Sequence, residues 1–226
     1  MNNFLNLINC DTDSITVSKY NGEPFSKEEQ EKLLKELNSI FPETIRWAPD
    51  GEYSKFIVLK AKNYVMFTLD GKLKTKGSAI RDQKREKRIR DFINEIIDAM
   101  VFDKTNYTEI YLKYIKEVNN IREVKPWTSK KTITTKVLNP KRTNEQKVFD
   151  IISNTDYREG DKIWVFFKED GNLELAENFK GEYNKMKLLE KLHSSAQIFE
   201  NVLNTKELFK NYSLKRHKEE LQEIWK

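Results

Sequence analysis

The chain has 226 residues, 38% hydrophobic and 34% charged, with a formal net charge of +5, which describes a soluble globular protein with enough chain for one large core or two smaller ones. No apolar run is long enough to span a bilayer, and Met1-Asn2-Asn3 lacks the basic start of a signal peptide. A single cysteine, Cys10, excludes an internal disulfide or a paired-cysteine zinc site and favours a reducing, intracellular compartment, while the two histidines, His193 and His217, offer little to a histidine metal site or triad.

In chain order, the first predicted element is a β-hairpin. Phe4, Leu5, Leu7 and Ile8 on one side and Ile15, Thr16 and Val17 on the other favour strand, and Asp11-Thr12-Asp13-Ser14 reads as the tight connection between them. Aspartates suit turns because their side chains cap nearby N–H groups. Two carboxylates one residue apart repel each other, however, and a divalent cation would turn that repulsion into attraction. Ser26 and Glu29 then form a capping-box pattern that opens a helix. Leu33, Leu34, Leu37, Ile40 and Phe41 recur at helical spacing and predict a core-facing stripe. The stretch from Glu52 to Gly77 reads as strands, with Asp70-Gly71 as a hairpin turn.

Beyond that the period changes to helical. Ile89, Phe92, Ile93, Ile96, Ile97, Met100 and Val101 mark one amphipathic helix, and Tyr107, Ile110, Tyr111, Tyr114, Ile115 and Val118 the next, its aromatics read as core. A polar basic segment runs through Pro126 and Pro140, followed by a short helix with Val148, Ile151 and Ile152. Residues 161–177 predict a second hairpin, turning at Asp170-Gly171, and Leu- and Phe-rich helices (Met186–Leu192, Ile198–Leu203 and from Glu207) complete the chain. The expected fold class is therefore α+β: an N-terminal α+β domain over 1–80 and a mostly helical domain with a small β-hairpin over 81–226.

The charge is unevenly spread. Between Lys72 and Arg90 nine basic residues face two acids, and between Lys125 and Lys147 seven face one. Two such stretches, read as lying outside clean amphipathic helices, suggest a surface for a polyanion.

At these residues the sequence resembles a family. Asp11-Thr12-Asp13-Ser14 between two strands is similar to the third palm motif of family B DNA polymerases. Downstream, Lys60-Ala61-Lys62-Asn63-Tyr64 resembles the lysine-rich palm motif that ends in tyrosine, read as lying on a strand. Residues 70–77 resemble the Asp-Gly hairpin and Lys-Gly turn before the thumb, and Gly160-Asp161 with the following strand resembles the thumb hairpin. The chain departs from the pattern at Asn9, where the family carries tyrosine, and Arg81-Asp82 only loosely matches its Arg-Arg-Asp. The resemblance spans essentially the whole chain. It implies a partial palm, antiparallel strands with a covering helix, over 1–80, followed by a mostly helical thumb over 81–226.

The same resemblance implies function. Asp13 becomes the main ligand of two Mg²⁺ ions and Asp11 a second ligand or electrostatic partner. Thr12 and Ser14 shape the turn or approach the primer end, and Lys62 and Tyr64 touch the primer-template duplex. Lys74, Lys76, Lys130, Lys131 and Arg142 are candidates for phosphate contacts on basicity and placement alone. The first palm motif, the fingers signature and a proofreading exonuclease are not found in these 226 residues. The expectation is thus the small subunit of a split DNA-directed DNA polymerase. Its partners would be primer-template DNA, a dNTP, and an N-terminal chain with exonuclease, fingers and the remaining palm, with no role for a membrane. The rivals are a non-catalytic DNA-binding accessory protein with a vestigial palm motif and an RNA-binding protein. The second lacks an aromatic-rich ribonucleoprotein motif.

Overall fold

The computed structural model describes residues 5–224, so the strand expectation for Phe4 lies outside the described residues. The fold is α+β, and the chain divides into two compact units, Met1–Gly77 and Ser78–Lys226. Among the described residues no helix is long and apolar enough to cross a membrane.

The first unit opens with β1 (Leu5–Asp11) and β2 (Ser14–Lys19), an antiparallel two-stranded sheet in which Asp11 pairs with Ser14. Helix α1 (Lys27–Ile40) follows, and its capping box is formed: the Glu29 N–H donates to Ser26 Oγ at 3.2 Å and the Ser26 N–H to Glu29 Oε2 at 2.7 Å. The expected core-facing stripe is only partly realised. No residue of α1 is fully buried, Ile40 is 74% exposed, and Phe41, just past the helix, is held in a tilted ring contact with Trp47. Strands β3 (Tyr53–Lys60), β4 (Asn63–Thr68) and β5 (Leu73–Lys76) form an antiparallel meander. Asp70-Gly71 turns between the last two, Gly71 supplying φ +80°. Two small sheets and one helix have little to pack against. Among the described residues of this unit only three apolar side chains, Leu59, Tyr64 and Val65, are buried.

The second unit has a full core. After the single turn α2 (Ser78–Arg81), helices α3 (Lys87–Val101) and α4 (Tyr107–Asn119) bury the predicted periodic faces against α7 (Lys185–Ala196). Ile89, Phe92, Ile93, Ile96, Tyr111, Tyr114, Ile115, Leu189 and Leu192 are all at most 2% exposed. The Phe92, Tyr111 and Tyr114 rings meet at centroid distances of 5.4–5.9 Å, within the range where tilted aromatic pairs attract. Arg88 fastens α3 to α4 through an ion pair with Glu117 at 2.5 Å while its guanidinium lies over the Tyr114 ring. At the start of α3 the buried carboxylate of Glu86 accepts from Ser129 Oγ at 2.6 Å and pairs with Lys191 of α7.

A smaller core lies under the third sheet. Strands β6 (Ser129–Thr132), β7 (Lys162–Phe167) and β8 (Leu173–Leu175) are antiparallel. Ile133, Ile163, Val165, Leu173 and Leu175 pack there with Val137 of α5 (Thr135–Leu138) and Val148 and Ile152 of α6 (Thr143–Ile152). The predicted hairpin is thus one strand larger. β6 is an edge strand, Ser-Lys-Lys-Thr, with no apolar alternation to announce it. The expected helix over Ile198–Leu203 is only a 3-10 turn, Gln197–Phe199, and the chain ends in α8 (Thr205–Leu208) and α9 (Lys215–Ile224).

The first unit closes at Gly77, where the backbone has φ +110° and an added Cβ would meet the Lys62 carbonyl oxygen at 2.4 Å and the Asn63 Oδ1 at 2.3 Å. Replacing Gly77→Ala should destabilise this unit by about 2 kcal/mol or more, from left-handed strain plus a backbone clash. Urea denaturation followed by a probe in the first unit measures it.

Candidate catalytic hairpin and basic surfaces

The Asp11–Ser14 connection is built around one carbonyl. The Asp13 N–H donates to the Asp11 carbonyl oxygen at 2.6 Å, and Ser14 Oγ donates to the same oxygen at 3.2 Å. Thr12 occupies the left-handed region at φ +51° and its hydroxyl donates to Asp11 Oδ1 at 3.4 Å. A non-glycine residue there costs energy, and a network of short-range bonds holds it.

The two carboxylates face different surroundings. The Asp11 side chain is 11% exposed; its Oδ2 lies 3.4 Å from the Tyr64 hydroxyl, which donates to it, and 3.7 Å from the Lys76 ammonium. Asp13 is exposed, and among the described residues its carboxylate makes no hydrogen bond or ion pair. One acid is therefore anchored and the other presented.

Register explains the anchor. Tyr64 and Lys76 are direct partners across β4 and β5, so the ammonium sits 5.5 Å from the Tyr64 ring centroid. The ring itself stacks on Phe56 of β3 at 5.0 Å. The Tyr64 hydroxyl, and behind it the Asp11 carboxylate, hold the Lys76 pKa above its usual value. Lys74 lies two residues before Lys76, on the same face of β5, and is exposed. Lys62 is not on a strand: Ala61 and Lys62 form the β3–β4 turn, with Lys62 exposed at φ +59°. The side-chain period of the flanking strands obscured that turn, which has no Gly, Pro, Asn or Asp at its two central positions.

The other candidates belong to the second unit. Lys130 and Lys131 occupy β6, paired with Trp164 and Ile163 respectively, so they fall on opposite faces. Arg142 is exposed at the N-terminus of α6, where Glu145 Oε2 accepts from its backbone N–H at 3.2 Å. The first basic stretch is partly consumed internally and does reach into an amphipathic helix. Lys87 and Arg88 lie in α3 and pair with Asp91, and Lys72 pairs with Asp70. Sequence reasoning missed Trp164, 40% exposed with the Lys125 and Lys130 ammonium groups 5.7 and 5.8 Å from its ring centroid. The signal was its position in a strand between two core-forming residues.

For Mg²⁺, which takes hard oxygen donors and keeps water and phosphate in its shell, Asp13 has the right chemistry: an exposed carboxylate with no competing partner among the described residues. Among those residues no three His, Cys, Asp or Glu side chains gather as a metal-ligand group.

No family model and no curated protein matches the chain. Among solved structures, the chain is similar to the family B DNA polymerase from the hyperthermophilic archaeon Pyrobaculum calidifontis, with a TM-score of 0.62 and 15% identity. The match covers 88% of this chain and 27% of that one. The chain shares the fold of just over a quarter of that polymerase.

Proposed function

We propose that this chain is the palm and thumb portion of a family B DNA-directed DNA polymerase, acting as one subunit of a two-chain enzyme. The observation that carries the reading is Asp13, an exposed and unengaged carboxylate at the apex of an antiparallel hairpin. It stands beside an Asp11 that Tyr64 and Lys76 hold in place, in a fold similar to part of such a polymerase. In this reading the first unit is the palm portion and the second the thumb.

Asp13 and, less directly, Asp11 hold Mg²⁺, with the remaining ligands coming from the partner chain and the dNTP. Of two ions held there, one would supply activation of the primer 3′-hydroxyl and the other would offset charge on the leaving pyrophosphate. Asp11 adds negative charge beneath the site while its bonds to Tyr64 and Lys76 keep the turn from shifting. Lys62, Lys74 and Lys76 border the nascent end of the duplex, and the buried Tyr64 acts there by supporting Asp11 and Lys76 from beneath. Lys130, Lys131 and Arg142 take phosphates further along it, contacts that position without reading sequence. The partner supplies the first palm motif, the fingers and the exonuclease. The thin core of the first unit supports a partner. Three buried apolar side chains are few for such a unit, and Leu7, Ile40 and Ile45 are 65%, 74% and 48% exposed, apolar surface that a further palm segment would cover.

Primer extension by this chain alone, by a polypeptide carrying the remaining palm and fingers alone, and by both together tests the reading. Synthesis should require both chains and Mg²⁺; robust extension by this chain by itself would contradict the shared site. Duplex affinity should also fall steeply with salt through counterion release, and Lys131→Ala should lower the log–log slope by about one unit. A salt-insensitive affinity would remove the phosphate-grip role.

A further inference from the structure

The sheet β6–β7–β8 buries one face in the small core, and on the other the part around Trp164 is open to solvent. From Lys162 to Val165 the strand alternates, Ile163 and Val165 being 1% exposed and Lys162 and Trp164 exposed; Phe166, next on the outer side, is buried against the Phe179 ring. A tryptophan on the outer side of a strand, 40% accessible, contributes nothing to that core. The side chains nearest its ring are cationic, while Glu174 of β8, paired with Phe166, lies further along the same side of the sheet. Lys130 is the direct cross-strand partner of Trp164, Lys125 approaches from the turn before β6, and Lys162 shares its face two residues away. β6 and β7, Ser-Lys-Lys-Thr and Lys-Ile-Trp-Val-Phe-Phe, contain no acid. Among the described residues none of Lys125, Lys130 and Lys162 forms an ion pair with a carboxylate.

We infer that this face is a single-stranded DNA platform, on which Trp164 stacks an unpaired base and Lys125, Lys130 and Lys162 take the flanking phosphates. Both lysines over the ring sit near 6 Å from its centroid, close to the outer limit of a cation–π contact. A base taking the ring would displace them toward its flanking phosphates. Charge complementarity selects a polyanion, and the exposed aromatic face selects one whose bases are unstacked. A duplex presents mainly phosphates and already-stacked pairs, whereas a single strand offers free π-faces at each nucleotide. The inference rests on the nucleic-acid part of the proposed function and adds a second kind of contact to the duplex grip.

The test is binding of the intact chain to a labelled short oligothymidylate and to a blunt duplex of mixed sequence, for wild type, Trp164→Ala, Trp164→Phe and Lys130→Ala, with thermal melts as a folding control. Trp164→Ala should weaken oligothymidylate binding by about ten-fold or more and duplex binding by less than about two-fold, with Trp164→Phe retaining most single-strand affinity because the stacking face remains. Tryptophan quenching by the oligonucleotide should be largely lost in both Trp164 variants. Lys130→Ala should flatten the salt dependence of oligothymidylate binding. If wild type binds the duplex but Trp164→Ala leaves oligothymidylate affinity unchanged, or weakens both ligands equally, the platform is overturned and the duplex grip stands. If wild type binds neither nucleic acid, both fall.

Discussion

The Asp11 carboxylate is held from the far side of its unit. Its Oδ2 meets the Tyr64 hydroxyl and the Lys76 ammonium, groups 53 and 65 residues further along the chain, and its backbone carbonyl collects the Asp13 N–H and the Ser14 hydroxyl. Through these bonds the β1–β2 turn is tied to the three-stranded sheet, which β1 also approaches along β3. A two-stranded ribbon has marginal stability by itself. With that support, Thr12 can be kept at a positive φ and, among the described residues, the Asp13 carboxylate can be left without a partner. A presented carboxylate needs a neighbour that absorbs the constraints, and here the neighbour is another carboxylate.

The two units divide the physical work differently. The second is stabilised in an ordinary way, by interlocking aromatic and aliphatic side chains on α3, α4 and α7 and by charged pairs, Arg88–Glu117 and Glu86–Lys191, at the edges of that core. Removing Lys191 would leave the buried Glu86 carboxylate without its cation, which is costly, whereas the half-buried Arg88–Glu117 pair mainly fixes the orientation of α3 on α4. The first unit has few buried apolar groups and spends its polar contacts on the hairpin. A thin core with exposed Ile40 and Leu7 suits a segment completed by further protein, and the proposed two-chain enzyme gives that surface a use.

Much of this was legible from residue order alone. The 3.6-residue period of Ile89 to Val101 and Ile110 to Val118 specified α3 and α4 and their buried faces, because long amphipathic helices carry a redundant signal. The Asp-Thr-Asp-Ser turn and the two Asp-Gly hairpins were equally plain, since turn chemistry is local. What escaped the sequence depends on tertiary contact. Strand β6 exists because β7 pairs with it, and its Lys-Lys centre gives no alternation. The α1 stripe was expected to be core, yet nothing in the stripe itself says what packs against it. The different fates of Asp11 and Asp13 are likewise invisible at a spacing of two, because the groups that distinguish them lie on β4 and β5. Arg88 looked like part of a basic run until its partner, Glu117, proved to lie on the next helix.

In the proposed enzyme Asp13 is a metal ligand and more than a turn residue. Single-turnover primer extension by the assembled two-chain enzyme, with Asp13→Asn compared against wild type and Asp11→Asn and with duplex affinity measured in parallel, tests it most directly. An amide is nearly isosteric with the carboxylate but a poor Mg²⁺ ligand. The account predicts that Asp13→Asn loses roughly three or more orders of magnitude in rate, over about 4 kcal/mol of transition-state stabilisation, with duplex affinity almost unchanged, and that Asp11→Asn is damaging to a lesser degree. Extension by Asp13→Asn at near the wild-type rate would contradict it, leaving the hairpin a turn and the catalytic reading without its metal ligand.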